Sequence, residues 1–177
     1  MSQMNMLRPE DNGGLHLGGG SVAGNDIDET DQRIIVALRR KPRASVSELS
    51  RLLSLARGTV HTRLDRLEHR GVITGYGPDL NLGAAGYPVQ AFTTLAIAQG
   101  HHDVVVQQLR SIPQILEVHT ITGPGDLLVK IAARSNDHLH EVLQVISSIA
   151  EVSHSTTQLA LASPVLKSGA DLLADLD

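Results

Sequence analysis

The chain has 177 residues, 41% of them apolar and only 2% aromatic, so its core must be built from Leu, Ile, Val and Ala. It has no cysteine, which excludes a disulfide framework, a thiolate metal site and a thiol nucleophile. The formal net charge of −4 conceals an asymmetry: residues 26–75 carry ten Lys and Arg against seven acids, whereas residues 85–162 carry three against six. Opposite charge in the two parts suggests a different partner for each. No apolar run approaches the roughly 20 residues needed to span a bilayer. The N-terminus lacks the basic start and apolar core of a signal peptide. A soluble, cytoplasmic protein without a membrane partner is expected.

Residues 1–25 contain "NGGLHLGGGSVAGN". So glycine-rich and polar a segment buries too little apolar area to offset its ordering entropy, and disorder is expected. Residues 28–40 read as a helix, capped by Asp28, with Ile34, Ile35 and Leu38 as its apolar stripe, and Pro42 stops it. Ser45 opens a second helix, with Glu48 three residues on completing a capping box; Val46, Leu49, Leu52 and Leu53 are expected to face inward. A third helix over roughly residues 57–70 buries Val60, Leu64 and Leu67, and Gly71 ends it. "VITGYG" then reads as a short strand or wing. Three short helices joined by tight turns, the last one basic, form a helix-turn-helix pattern over residues 26–76.

A glycine-rich connector at residues 77–88 leads into a different periodicity. "VQAFTTLAIA" (89–98) alternates as a strand, Val104, Val105, Leu109 and Ile112 mark a helix, and "ILEVHTIT" and "DLLVKIAA" are two further strands. Ser135 or Asn136 caps a helix with Leu139, Val142, Leu143, Ile146 and Ile149 on one face, and "VSHSTTQLALA" (152–162) is the last strand. The order β-α-β-β-α-β over residues 89–163 is the ferredoxin-like pattern. The acidic tail at 164–177 is expected to be frayed or loosely docked. The fold class is therefore α+β: an N-terminal, winged helix-turn-helix domain followed by a ferredoxin-like βαββαβ domain.

The third helix carries Arg57, Thr59, His61, Thr62, Arg63 and Arg66 off its apolar stripe. A helix that docks on two others through one face and offers hydrogen-bond donors on the other suits double-stranded DNA. Thr59, His61 and Thr62, near its N-terminus, are the candidates for base edges. Arg63, Arg66 and Arg70 are candidates for phosphates, with Arg57 a further DNA candidate and Arg39, Arg40, Lys41 and Arg43 gripping the backbone alongside. Some arginines have a second use as intradomain ion pairs, Arg66 first among them, with Asp65 or Glu68 as partner.

The connection Gly123-Pro124-Gly125-Asp126 admits two accounts. Glycine and proline make a tight turn without any further role. The same glycines also let backbone N–H groups approach a carboxylate, while Asp126 accepts from an ammonium group and His119, Thr120, Thr122, Thr156 and Thr157 stand on the neighbouring strands. The histidine pairs His101-His102 and His138-x-His140 lack the spacing of a metal site, so no metal and no cofactor is expected. No nucleophile–base pair or phosphate loop is evident, so no catalytic residue is assigned.

The stretch from Ile27 to Tyr76 resembles the N-terminal half of the Lrp/AsnC (feast/famine) transcription regulators. The match rests on Ile27, Asp28 and Asp31, then Arg43, Ser45, Glu48 and Leu49, then Arg63, Leu64, Arg66, Leu67, Glu68, Gly71, Ile73 and Tyr76. The second half is similar to that family's effector-sensing domain through Thr122, Gly123 and Asp126, so the resemblance covers residues 26–163. It implies a regulator that binds DNA and an amino acid effector through His119, Thr122, Gly123, Pro124, Gly125, Asp126 and Thr156. It also implies homodimers, paired through their sheets, that assemble into octamers or similar closed rings. The chain departs from the family where a Ser or Thr usually caps the recognition helix: Ala56 and Arg57 stand there, with Gly58 next, so a later start or a cap from Ser54 or Thr59 is expected. Two other readings share the fold. A siroheme decarboxylase-like enzyme would meet a polycarboxylated substrate with only Arg110, Lys130 and Arg134 in the second domain. A non-specific DNA-compacting protein would keep the helix-turn-helix and need no ligand.

Overall fold

A computed structural model describes residues 27–174. The disorder expected of residues 1–25 falls outside the described residues. The described chain forms two compact units that meet in sequence between Val72 and Ile73, with Leu173 belonging to the first.

The first unit begins with α1, Glu29–Arg40. Its N-terminus is closed by a capping box in which Asp28 accepts from the Asp31 N–H at 2.9 Å and the Asp31 carboxylate accepts from the Asp28 N–H. Helix α2, Val46–Leu53, starts the same way: the Ser45 N–H donates to Glu48 Oε2 at 2.7 Å. Its last turn ends in Ser54, held in the left-handed region at φ +56°. Helix α3, Arg57–His69, follows after two residues. Ile34, Ala37, Leu49, Leu53, Val60, Leu64 and Leu67 are the buried apolar residues of this unit. Each large aliphatic side chain buried in this way stabilises the fold by about 1.5–3 kcal/mol. Leu52, expected inside, is instead exposed, because Leu49 and Leu53 already define the inward face one helical turn apart. Residues 72–77, expected as a short strand or wing, pair with no strand among the described residues.

In the second unit the expected connector is a folded turn. Asn81 Oδ1 accepts from the Ala84 N–H, and the Tyr87 N–H reaches the Leu82 carbonyl at 2.8 Å. Then come β1 (Val89–Ile97), α4 (His102–Arg110), β2 (Ile115–Thr120), β3 (Leu127–Ala133), α5 (Asn136–Ser147) and β4 (Val152–Ala160). The strands form one antiparallel sheet in the order β2-β3-β1-β4, the ferredoxin-like arrangement. Tyr87 lies against Arg134 with the guanidinium 5.5 Å from the ring centre, tying the turn to the residue that follows β3. After β4 the tail, expected to be frayed or loosely docked, carries a short helix, α6 (Gly169–Ala174).

Alternation along the strands sends Ala91, Leu95, Leu127, Val129 and Ile131 to one face. There they share a core with Val105 and Leu109 of α4 and Leu139, Val142 and Ile146 of α5. The opposite face is crossed by rows that the register defines. His119, Leu128, Thr94 and Thr156 form one row, and Glu117, Lys130, Phe92 and Gln158 form the next.

The β2–β3 connection is bolted to β1. The Asp126 N–H donates to the Leu95 carbonyl at 2.8 Å, and Asp126 Oδ2 accepts from the Ile97 N–H at 2.7 Å. Ile97 lies where the β1–β4 register shifts, so the carboxylate supplies a partner at the irregularity of the strand. Gly123 has φ +114°, which L side chains rarely adopt. A Cβ on Gly125 would collide with Thr94 Cγ2 and lie 3.2 Å from the Leu95 carbonyl oxygen. Gly125→Ala is therefore expected to destabilise the protein by about 1–3 kcal/mol, read as a lower urea midpoint. An unchanged midpoint would show that β1 yields to the added methyl.

Candidate nucleic-acid interface and effector turn

Thr59, Thr62, Arg63 and Arg66 fall at i, i+3, i+4 and i+7 along α3 and so share one face of the helix. With Gly58 they line a shallow depression on its surface. Four of the eleven residues expected at DNA are thus brought together. Arg57 and His61 are exposed on α3 but lie outside the depression lining, and His61 Nε2 is 3.4 Å from Asp65 Oδ2 one turn on. Arg43 is exposed on the turn before α2 and lies outside the depression lining. No side chain caps α3, and it starts at Arg57 with Ala56 as its N-cap; neither Ser54 nor Thr59 takes the role expected of it. Ser54 closes α2 instead.

The two arginines of the depression are already engaged. Arg63 donates to Asp31 Oδ1 at 2.9 Å and to Asp28, and Arg66 donates to Asp31 Oδ2 at 2.5 Å and stands 3.7 Å from Asp28. Arg66 is therefore an ion-pair residue, but its partners come from the start of α1 rather than from Asp65 or Glu68. Asp31 is fully buried with both oxygens paired, whereas the Asp28 side chain is half-exposed. The same two acids make the α1 capping box. Each carboxylate closes the helix with one interaction and holds α3 with another. The Arg63 hydrogen bond, followed by that from the Asp31 N–H, keeps the Asp28 carboxyl at about 2, below its ordinary 3.8. The hydrogen bonds that Arg63 itself donates, to the Asp28 carboxylate first and then to that of Asp31, raise it above its usual value.

From the sequence, Asp28 and Asp31 read only as helix-start residues. The signal that could have revealed more is their spacing. An acid at the N-cap and another at N3 project together and retain acceptor capacity beyond the cap.

Around the effector turn, Thr122, Gly123 and Pro124 are exposed, whereas Gly125 is packed on Thr94 and the Asp126 carboxylate is bonded to β1. His119 and Thr156 lie in one row across the sheet, separated by Leu128 and Thr94. His119 Nε2 is 3.1 Å from Glu117, which also accepts from Lys130 at 2.7 Å. The Lys130 bond, then that of His119, lowers the Glu117 carboxyl. Thr156 Oγ1 is 3.2 Å from His154 Nε2. A contact that the sequence did not reveal joins His102 Nε2 of α4 to Thr120 Oγ1 at 2.9 Å. Among the described residues, no three His, Cys, Asp or Glu side chains gather as metal ligands, and no helix is long and apolar enough to cross a membrane.

The depressed Asp28 carboxyl has a definite pH consequence. Its stabilising contribution is complete above the unfolded value near 4 and is lost as pH falls through about 2, because the unfolded chain binds the proton first. Urea unfolding followed by the helical signal is expected to show stability falling between about pH 5 and pH 2. The fall should be shallower in Asp28→Asn. Parallel curves for the two proteins would remove Asp28 as a source of the slope.

Residues 27–74 match a winged helix-turn-helix DNA-binding family, and residues 90–169 match the Lrp/AsnC ligand binding domain. The transcriptional regulator FL11 of Pyrococcus furiosus is 32% identical over 135 residues, which cover 76% of this chain and 89% of FL11. The solved structure of Escherichia coli AsnC superposes with a TM-score of 0.76 at 27% identity, covering 81% of this chain and 98% of that one. The leucine response regulatory protein LrpA of Mycobacterium tuberculosis gives 0.70 at 25% identity, with 79% and 96% covered. These relatives are regulators, and the matched domains are a DNA-binding and a ligand-binding domain rather than catalytic ones. A helix-turn-helix whose third helix presents Thr59, Thr62, Arg63 and Arg66, joined in one chain to a ferredoxin-like ligand-binding domain, thus belongs to the Lrp/AsnC family of transcriptional regulators.

Proposed function

We propose that this protein is a sequence-specific, DNA-binding transcription regulator of the cytoplasm whose assembly or DNA affinity responds to an amino acid. The observation that carries the DNA part is the single face of α3 on which Thr59, Thr62, Arg63 and Arg66 surround one depression. Threonine hydroxyls there are placed to meet base edges, while arginines at the rim, with Arg57 and Arg43 beyond it, meet phosphates. Arg63 is a poor probe of this reading, because truncating it strips the buried Asp31 carboxylate of a partner, at a cost of about 3–5 kcal/mol. Thr62 and Arg57 are clean probes, since neither side chain supports the core. With an operator selected from random duplexes, Thr62→Ala is expected to lose about tenfold in affinity and to relax base preference at one position. Arg57→Ala should weaken all duplexes alike and reduce the salt slope by about one. If both variants bind like the parent in gel shifts at fixed salt, α3 is not the DNA surface.

For the effector, the exposed turn residues Thr122, Gly123 and Pro124 lie beside Asp126, with His119 and Thr156 on the same face of the sheet. A turn with exposed backbone donors and a carboxylate matches the two charges of an amino acid. The name of the similar M. tuberculosis protein, a leucine response regulator, favours the same ligand class. Because Asp126 also holds Ile97, alanine at this position confounds binding with folding. Asp126→Asn retains an acceptor for the Ile97 N–H and removes the charge. In calorimetry across the twenty amino acids, the parent is expected to bind at least one and Asp126→Asn to lose that binding while melting near the parent temperature. Equal binding by Asp126→Asn would confine Asp126 to the fold. The half-buried Phe92 and Leu128 on the helix-free face of the sheet suit pairing of two sheets in a homodimer, which would then build octamers or similar rings. Size-exclusion chromatography with and without the bound amino acid reads that assembly.

A further inference from the structure

The DNA-facing arginines carry two carboxylates that differ in one respect. Asp31 is fully buried and joins Arg63 and Arg66 from beneath. Asp28 is half-exposed and reaches the same two guanidinium groups from the solvent side, hydrogen-bonded to Arg63 and 3.7 Å from Arg66. Both arginines line the α3 depression together with Thr59 and Thr62. A carboxylate and a DNA phosphate make the same kind of charge-assisted contact with guanidinium. An exposed acid on these arginines therefore occupies the coordination that an incoming phosphate needs.

We propose that Asp28 acts as an internal phosphate competitor that sets the stringency of DNA recognition. In the free protein it neutralises Arg63 and Arg66, so the backbone of an arbitrary duplex must displace it before gaining their charge. Asp31 keeps the two arginines docked throughout the exchange, because its buried carboxylate is bonded to both of them. Only a duplex that also satisfies the base-reading side chains of α3 recovers what the exchange costs. Asp28 thus lowers the affinity for every duplex by a common factor, so that arbitrary duplexes fall below the binding threshold while one with added base contacts stays above it. This inference rests on the DNA-binding reading of α3.

Asparagine and serine at position 28 both keep an oxygen that can accept from the Asp31 N–H, so the cap on α1 survives, and both remove the charge. The full chain carrying Asp28→Asn or Asp28→Ser is titrated with a random-sequence duplex and with the selected operator over a range of KCl concentrations. Both variants are expected to bind the random duplex about two- to fivefold tighter than the parent. The dependence of log affinity on log salt should steepen by about 0.9 for each phosphate newly engaged, and the operator should gain by a similar factor. Asp31→Asn serves as the contrast, expected to melt lower and to bind both duplexes more weakly.

If the charge-free variants bind the random duplex no tighter than the parent, with the same salt slope, Asp28 is a helix cap only and the proposal is overturned. Loss of the folded helical signal in both variants overturns it as well, since Asp28 would then be required for the fold itself. A parent that binds no duplex even at low salt overturns the DNA reading itself. A parent that binds, beside variants that do not differ from it, overturns the competitor role alone.

Discussion

The buried carboxylate of Asp31 is the constraint on which the DNA-binding half is built. A charge taken fully out of water is tolerated only when its oxygens are satisfied, and here both oxygens meet arginines from α3. Those bonds orient α3 against the start of α1, while the apolar residues Val60, Leu64 and Leu67 complete the same junction by close packing. Hydrophobic burial would allow α3 some rotation about its axis. The paired carboxylate removes that freedom, and so determines which side chains are presented outward. The depression formed by Thr59, Thr62, Arg63 and Arg66 is a consequence of that orientation.

In the sensing half the corresponding constraint is the junction between the β2–β3 connection and β1. The Asp126 backbone and side chain bond to Leu95 and Ile97, and Gly125 sits where no Cβ would fit. A turn with the composition of a simple surface loop is therefore fastened to a central strand of its sheet. β1 pairs in turn with β4, which carries Thr156. A ligand that engaged the turn would push on β1 and, through it, on both of its neighbours. The turn and the sheet geometry are joined there by contacts already present.

Much of this architecture was legible in the chain. The Asp28 cap and the Ser45–Glu48 capping box lie within four-residue windows, and the structure forms both, with Asp31 completing a box at Asp28 as well. The switch from helical to alternating periodicity marked where a sheet takes over. The ferredoxin-like order followed from the succession of elements. Other features were not legible because their causes are not local. Leu52 belongs to an apolar helix turn, yet it faces outward because Leu49 and Leu53 complete the contact. "VITGYG" has the composition of a strand, but a strand needs a partner, and none lies beside it among the described residues. The glycines near residue 85 marked a connector without giving its shape, and Asn81 and Tyr87 fold it into a turn.

The candidate site divides in the same way. The sequence by itself determined that α3 is basic, that it is amphipathic, and that Gly123-Pro124-Gly125-Asp126 interrupts two strands, since each depends on residues adjacent in the chain or one helical turn apart. Only the tertiary structure decided which charges are engaged. Asp28 and Asp31 stand more than thirty positions before Arg63 and Arg66, and their pairing exists only once α1 and α3 are packed together. Likewise, Asp126 meets the Ile97 N–H only across the assembled sheet. The physical reason is one of range: helix caps and periodicity act over a few residues, whereas an ion pair or hydrogen bond between elements depends on a distance that folding alone establishes.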